Sequence, residues 1–254
     1  GFASGRPREE LAELIGAMGL EAAQSLIPGW TYSGLEKLRD AGLQVLSPRA
    51  DCAEVFAAFS ADKSLRFISP EPPYGLLGTR SWLKAVDAAA GGAPRFEKTL
   101  GAHYRKLHRE WKTLRARAAA HRLAFVIAEA DLPSIEGSRS LGGLPLLPMV
   151  REMGFGVELL LWTPPNAPAG KTDARRFSTP GQLEKLLSEL DVSAVYSDLY
   201  HDRRLLRNGK SRFSRFSFEP GFDGALRTLK RLLRVCELPF HRRYERLWRK
   251  NGVQ

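Results

Sequence analysis

Residues 41–86 alternate short apolar runs with helix-forming stretches, and this constrains the fold more than any other part of the chain. Leu43, Val45 and Leu46 make one run, and Leu65, Phe67 and Ile68 make the next. A helix-length stretch separates them, and a Pro/Gly-rich loop follows before an apolar helical face of Trp82, Leu83 and Val86. Two strands joined through a helix cannot form a hairpin. They lie parallel, with a right-handed crossover between them. Thr79 is placed to cap the helix, and Gly91 and Gly92 to end it. Open parallel sheets bind ligands beyond the carboxyl ends of their strands, beside helix N-termini.

The same grammar returns further along. Leu123–Ala128 reads as a buried strand, Leu144–Met153 as a helix, and Phe155–Trp162 as the next strand. Thr163–Ala174 is rich in Pro, Gly and polar residues and reads as a loop. Thr179-Pro180-Gly181-Gln182 carries a capping box with Pro in the first turn, and Leu183, Leu186, Leu187 and Leu190 follow at helical spacing. Val192–Tyr196 is a short strand, and Gly221 or Asp223 opens a helix bearing Leu226, Leu229 and Leu233. Between the two α/β blocks, Leu100, Tyr104, Leu107, Trp111 and Leu114 form a seam on a long helix spanning 96–117, suited to an interdomain spine or to a subunit contact. Leu11, Leu14, Ile15 and Met18 share a face of an opening helix stopped by Gly19. The expected division is an α/β domain over 1–93, a second α/β domain over 94–238 introduced by the long helix, and a basic C-terminal helix over 239–254.

At 254 residues and 43% hydrophobic content the chain has the substance for one large or two ordinary domains. No apolar run reaches the roughly 18 residues of a bilayer span, and no basic-then-apolar leader opens the chain. The net charge of +11 raises the question of nucleic acid. The basic clusters at 105–117, 203–215 and 227–250 come without a groove-reading motif, so solvated helix faces are the simpler account, and a basic nucleic-acid-binding module stays an alternative of another class. Cys52 and Cys236 are far apart and form neither a CxxC nor a zinc spacing. They read as reduced thiols of a cytoplasmic protein.

Candidate chemistry falls in two places. Pro73, Tyr74, Gly75, Gly78 and Thr79 sit at a strand-to-helix turn, where glycines admit close approach of a ligand and free N–H groups favour an anion. The turn is neither a Walker loop nor GxGxxG, and a purely structural role is the plainer reading. Glu129 and Asp131 follow the Leu123–Ala128 strand, with Glu136 a little further on, where carboxylates serve acid–base chemistry or a cation and more often cap helices. The five histidines show no HExxH or i,i+4 ligand pairing, and no serine sits in a nucleophile elbow.

From Arg8 to about Arg243 the chain resembles the nitrogenase component 1 family, which includes nitrogenase catalytic subunits, their cofactor-assembly scaffolds and the dark-operative chlorophyll-pathway reductases. The resemblance is carried in order by PREELAELIGAMGLEA, AGLQVLSP, LRFISPEPPYGLLGTRSWLKAV, HRLAFVIA with VREMGFGVELL, and EPGFDGALRTLKRLL. It implies two Rossmann-like domains with mostly parallel sheets flanked by helices. It also implies electrons delivered by an ATP-dependent iron–sulfur reductase, and a paralogous component 1-like subunit as partner in a homo- or hetero-oligomer, for which the Leu100–Leu114 seam is a candidate contact. The family's cluster-bearing domain has no counterpart here. Its iron–sulfur cluster is expected upstream of Gly1 or on a partner, no cofactor is expected to be held by this chain alone, and this chain alone is expected to be inactive.

Three positions depart from the family pattern. Pro48 stands where the cofactor-ligating Cys falls, with Cys52 one helical turn on; Ala128–Asp131 replaces a Gly-Gly-x-Arg loop; and Ser211 falls near the cofactor His. These departures argue against a nitrogenase-type cofactor and against nitrogen reduction. The resemblance therefore implies an oxidoreductase subunit whose substrate or different cofactor would lie between the two halves, lined by Pro48, Cys52, Pro73–Thr79 and Glu129–Asp131. A non-catalytic cofactor-assembly scaffold of the same family is the alternative.

Overall fold

The computed structural model describes residues 6–22, 40–46, 53–54, 57, 61, 64–91, 95–137, 144–165, 174–197 and 203–238. Cys52, Pro48, the central part of the Thr163–Ala174 loop and the 239–254 segment lie outside the described residues. The chain divides into two compact units. The first comprises Gly1–Trp111, Gly137–Pro145 and Glu219–Leu226; the second comprises Lys112–Glu136, Leu146–Phe218 and Arg227–Gln254.

In the first unit, α1 (Arg6–Ala17) precedes two short parallel strands, β1 (Gln44–Val45) and β2 (Phe67–Ile68), paired Gln44 to Phe67 and Val45 to Ile68. The parallel pairing expected from 41–68 is thus present. The strand apolar residues are half-buried, and the buried side chain of β1 is Gln44. Next comes α2 (Gly75–Ala90), with Leu76, Trp82, Leu83 and Val86 buried on one face. It starts five residues earlier than the Thr79 reading expects, because Gly75 takes φ +73° and lets the chain turn directly from Tyr74 into the helix. Gly91 ends it at φ +78°. The long helix is in two pieces, α3 (Arg95–Thr99) and α4 (Gly101–Ala118), the latter contributing to both units. Asp87 organises the start of α3: its carboxylate accepts the N–H groups of Arg95 at 2.6 Å and Phe96 at 3.0 Å, and Arg95 Nη1 at 3.2 Å. Burial pushes the Asp87 carboxyl up, but those N–H groups and the Arg95 guanidinium outweigh it and hold it below the usual aspartate value. The seam residues Leu100, Leu107, Trp111 and Leu114 are buried within the chain itself. Of the roles the seam suits, a subunit contact would find little of these four side chains exposed.

The second unit is built on a five-stranded sheet, β3 (Arg122–Ala128), β4 (Gly156–Trp162), β5 (Arg175–Phe177), β6 (Ala194–Tyr196) and β7 (Ser211–Phe213). Every strand pair is parallel, and the spatial order is β5-β4-β3-β6-β7. The chain therefore winds outward from β3 to one edge, returns to the other side of β3, and winds outward again. That is the doubly wound, Rossmann-like order, with its reversal between β3 and β6. The connecting helices are α5 (Leu132–Glu136), α6 (Leu146–Glu152), α7 (Pro180–Glu189) and α8 (Arg203–Arg207), and α9 (Phe222–Glu237) closes the described chain. One face of the sheet buries Ala124, Leu160, Phe177 and Val195 against Leu183 and Leu187 of α7 and Leu205 of α8. Each of these leucines contributes on the order of 1.5–3 kcal/mol by leaving water. Thr179 forms the expected capping box: its hydroxyl accepts the Gln182 N–H at 3.3 Å, and the Gln182 side chain accepts the Thr179 N–H at 3.2 Å. The opposite face carries an aromatic stack in which Phe125 and Tyr196 lie 5.3 Å apart and Phe213 meets Phe125 edge-on. Mostly parallel sheets flanked by helices are thus the architecture, as the sequence pattern implied. No described helix is long and apolar enough to cross a membrane.

Candidate functional site

At the carboxyl end of the five-stranded sheet, β3 runs directly into a 3₁₀ turn, Glu129–Asp131, with no side-chain cap. Glu129 accepts a hydrogen bond from Arg176 Nη2 at 3.0 Å, with both side chains about a quarter exposed. Register explains the meeting. Ile127 pairs with Leu161 and Leu161 with Arg176, so Glu129, two residues past Ile127, projects from the face that bears Arg176. Arg176 Nε is buried without an acceptor among the described residues. At the end of β4, Trp162 is 44% exposed, and Thr163 is buried, its N–H donating to the Phe177 carbonyl at 3.0 Å. At the end of β6, the Ser197 N–H donates to the Phe213 carbonyl at 2.9 Å, and the Ser197 carbonyl accepts Arg212 Nε at 2.8 Å. The strand tips thus present a compensated acid–base pair, an exposed indole and satisfied serine backbone groups. Asp131 and Glu136 are exposed there. Because Arg176 balances Glu129, this edge is less acidic than the run Glu129-Ala130-Asp131 suggests.

The Pro/Gly turn belongs to the first unit. Its residues come together, but largely on one another. Pro72 and Pro73 are buried, and Pro73 C=O accepts the Gly221 N–H at 2.9 Å. Tyr74 forms an isolated antiparallel bridge with Pro220. Thr79 has no exposed surface, and its hydroxyl lies 2.7 Å from the Gly75 carbonyl and 3.0 Å from the Pro73 carbonyl. A Cβ at Gly78 would stand 3.1 Å from the Pro72 carbonyl oxygen, so this glycine is there for backbone approach within the turn. Thr79 is therefore not the helix cap; it sits one turn inside α2 and fastens the turn to it. On the same unit, Glu10 occupies the N-terminus of α9, accepting the N–H groups of Asp223 at 2.8 Å and Gly224 at 3.1 Å.

Arg176 was not legible as a partner of Glu129, because β5 is three residues long and shows no period. The one available signal is the Arg-Arg-Phe triplet directly before the capping box. Among the described residues no group of three or more His, Cys, Asp or Glu side chains could hold a metal ion. Cys236 is buried, and its thiol is pushed up to about 12 by burial and by the neighbouring Glu237 charge, against a hydrogen bond with Ser193. A protonated, isolated thiol is the wrong donor for an iron–sulfur cluster, which takes several thiolates. The described residues do not fit such a cluster.

This geometry defines a doubly wound α/β protein with polar groups at its strand tips. Its fold is that of nitrogenase component 1 chains. A structure titled "Nitrogenase Cp1 at pH 5" matches with a TM-score of 0.67 at 11% identity, covering 94% of this chain and 55% of that one. The same protein at pH 6.5 matches with a TM-score of 0.63 at 11% identity, over 94% of this chain and 57% of that one. The chain thus spans little more than half the length of these nitrogenase chains. A FpvC mutant from Pseudomonas aeruginosa matches with a TM-score of 0.54 at 13% identity, over 91% of this chain and 96% of that one. At these identities the likeness is one of fold. No protein-family model matches the chain, and no curated protein matches it in sequence.

Proposed function

We propose that this chain is the substrate- or cofactor-binding part of a nitrogenase component 1-like oxidoreductase subunit. Electrons reach it from an ATP-dependent iron–sulfur reductase, through a cluster held elsewhere in the protein or by a paralogous partner subunit. The observation that carries this reading is the fold match over 94% of the chain. The β3/β6 reversal of the second unit supports it, since that is where doubly wound sheets hold ligands. Of the residues at the tips, Glu129 and Arg176 hold each other in place and offer a carboxylate and a guanidinium to a polar ligand. Trp162 offers a flat apolar surface. Pro73, Tyr74, Gly75, Gly78 and Thr79 shape the corresponding turn of the first unit, and Cys52 and Asp131 remain proposed contacts. No electron-transfer step is assigned to residues of this chain.

The test is anaerobic purification of the full-length protein with its partners, followed by iron and sulfide analysis and by reduction assays with the cognate reductase and ATP. Bound iron and sulfide with ATP-dependent reduction of a candidate substrate supports the reading. A cluster-free complex that never reduces any candidate overturns it. A second reading, a non-catalytic cofactor-assembly scaffold, is favoured by the Glu129–Arg176 pair, which leaves the acid committed to a neighbour instead of to a reacting group. In that case the complex takes up a cofactor transiently and hands it on.

A further inference from the structure

We propose that the second unit carries a separate anion-binding site at the opposite, amino-terminal end of its sheet, built for a small organic molecule bearing carboxylate or phosphate groups. A cavity of about 490 Å³ opens there beside the first half of β4. That volume suits a metabolite-sized ligand. Three arginines line it from three elements: Arg122 from the start of β3, Arg151 from α6 and Arg175 from the start of β5. The single carboxylate among its described lining residues, Glu158, is ion-paired with Arg122. Among the described residues no acidic side chain pairs with Arg151 or Arg175. The wall therefore carries two cations that no described carboxylate compensates, and guanidinium forks match carboxylate and phosphate geometry.

The backbone adds donors. β5 pairs with β4 only from Leu160 onward, so the first half of β4 has no described strand on that side. The Gly156 N–H donates to the His121 carbonyl on the β3 side, and the Thr163 N–H donates to the Phe177 carbonyl on the β5 side. Alternation between these two fixed points turns the N–H groups of Val157 and Leu159 toward the cavity side. Phe155, Val157 and Leu159 complete the lining. The volume leaves room for an organic body behind the anionic group.

The experiment uses the full chain and isothermal titration calorimetry at low salt, with citrate and inorganic pyrophosphate as probes. Saturable one-site binding of either probe is expected, and the tighter of the two identifies carboxylate or phosphate as the recognised group. The double variant Arg151→Gln/Arg175→Gln removes both free guanidinium groups and is expected to weaken that binding at least about tenfold. Both side chains are exposed, so circular dichroism and thermal midpoint should stay as in the parent. A charge-matched control, Lys106→Gln/Lys112→Gln on α4, should bind as the parent does. Absence of saturable binding at millimolar probe overturns the site. So does equal weakening in the control, which would mean attraction by diffuse positive charge alone.

Discussion

Replacing Asp87 with Ala removes the acceptor that organises the start of α3. The carboxylate is buried and takes two backbone N–H groups at 2.6 and 3.0 Å. Hydrogen bonds to a charged group contribute about 1.5–3 kcal/mol each, and an orphaned buried donor costs about 1–3 kcal/mol. The third contact, Arg95 Nη1 at 3.2 Å, comes from a side chain that is one-third exposed, so solvent screening leaves it little weight. Water entering the space left by the carboxylate recovers part of the loss. The expected destabilisation is about 2–4 kcal/mol for Asp87→Ala and about 1–2 kcal/mol for Asp87→Asn, which keeps an acceptor oxygen but not the charge. Urea unfolding followed by tryptophan fluorescence reads this as a lower midpoint at constant slope. The pH dependence gives an independent check. A carboxyl held below its usual value in the folded state contributes stability that is present above the unfolded pKa, about 4, and is lost as pH falls through the folded value. The gap between parent and Asp87→Asn should accordingly close on acidification through that window. An Asp87→Ala loss below about 0.5 kcal/mol, or a gap that widens in acid, would mean that the Asp87 carboxylate does not hold the start of α3.

Three further outcomes are expected. Thr79→Val deletes the hydroxyl that ties α2 to the Pro73 and Gly75 carbonyls and should cost about 1–2 kcal/mol in the same urea assay, marking the turn as a structural joint. Glu129→Gln weakens a half-screened ion pair, so its stability change should stay within about 1 kcal/mol, measured by thermal melting. In a Cys52→Ser background, Cys236 should resist Ellman's reagent at pH 8 in the native state and react readily in urea, because burial first and the Glu237 charge second keep its thiol protonated; rapid native labelling would contradict this.

What could be read from the sequence was what repeats or is chemically marked. LAFVIA and GVELLLW are long enough for a buried strand to announce itself, and both appear as parallel neighbours in full register. Thr179 to Gln182 is a local hydrogen-bonding device whose residues are all in one turn, so it survives any tertiary context. β5, β7 and α8 are not legible, because three- and five-residue elements carry too few positions for a period. Nor is the start of α2, because a threonine before an apolar run looks the same whether it caps a helix or bonds back one turn inside it; only the positive φ of Gly75 decides. The Glu129–Arg176 pair joins the residue just past β3 to one on β5, across β4, and nothing in one-dimensional spacing encodes that meeting. The Leu100–Leu114 seam shows the converse: its period was plain, but what covers it depends on packing that the period does not specify.

The proposed ligand position depends on the strand order that places Glu129 and Ser197 on either side of the sheet's reversal. Methyl-labelled protein tests it directly through nuclear Overhauser contacts from the Ala124 methyl. Contacts to both Leu160 of β4 and Val195 of β6 are expected, since all three share the buried face and β3 lies between the other two strands. Contacts joining Val195 to Leu160 with Ala124 remote from either would mean that β3 is not central, and the proposed ligand position would fall with it.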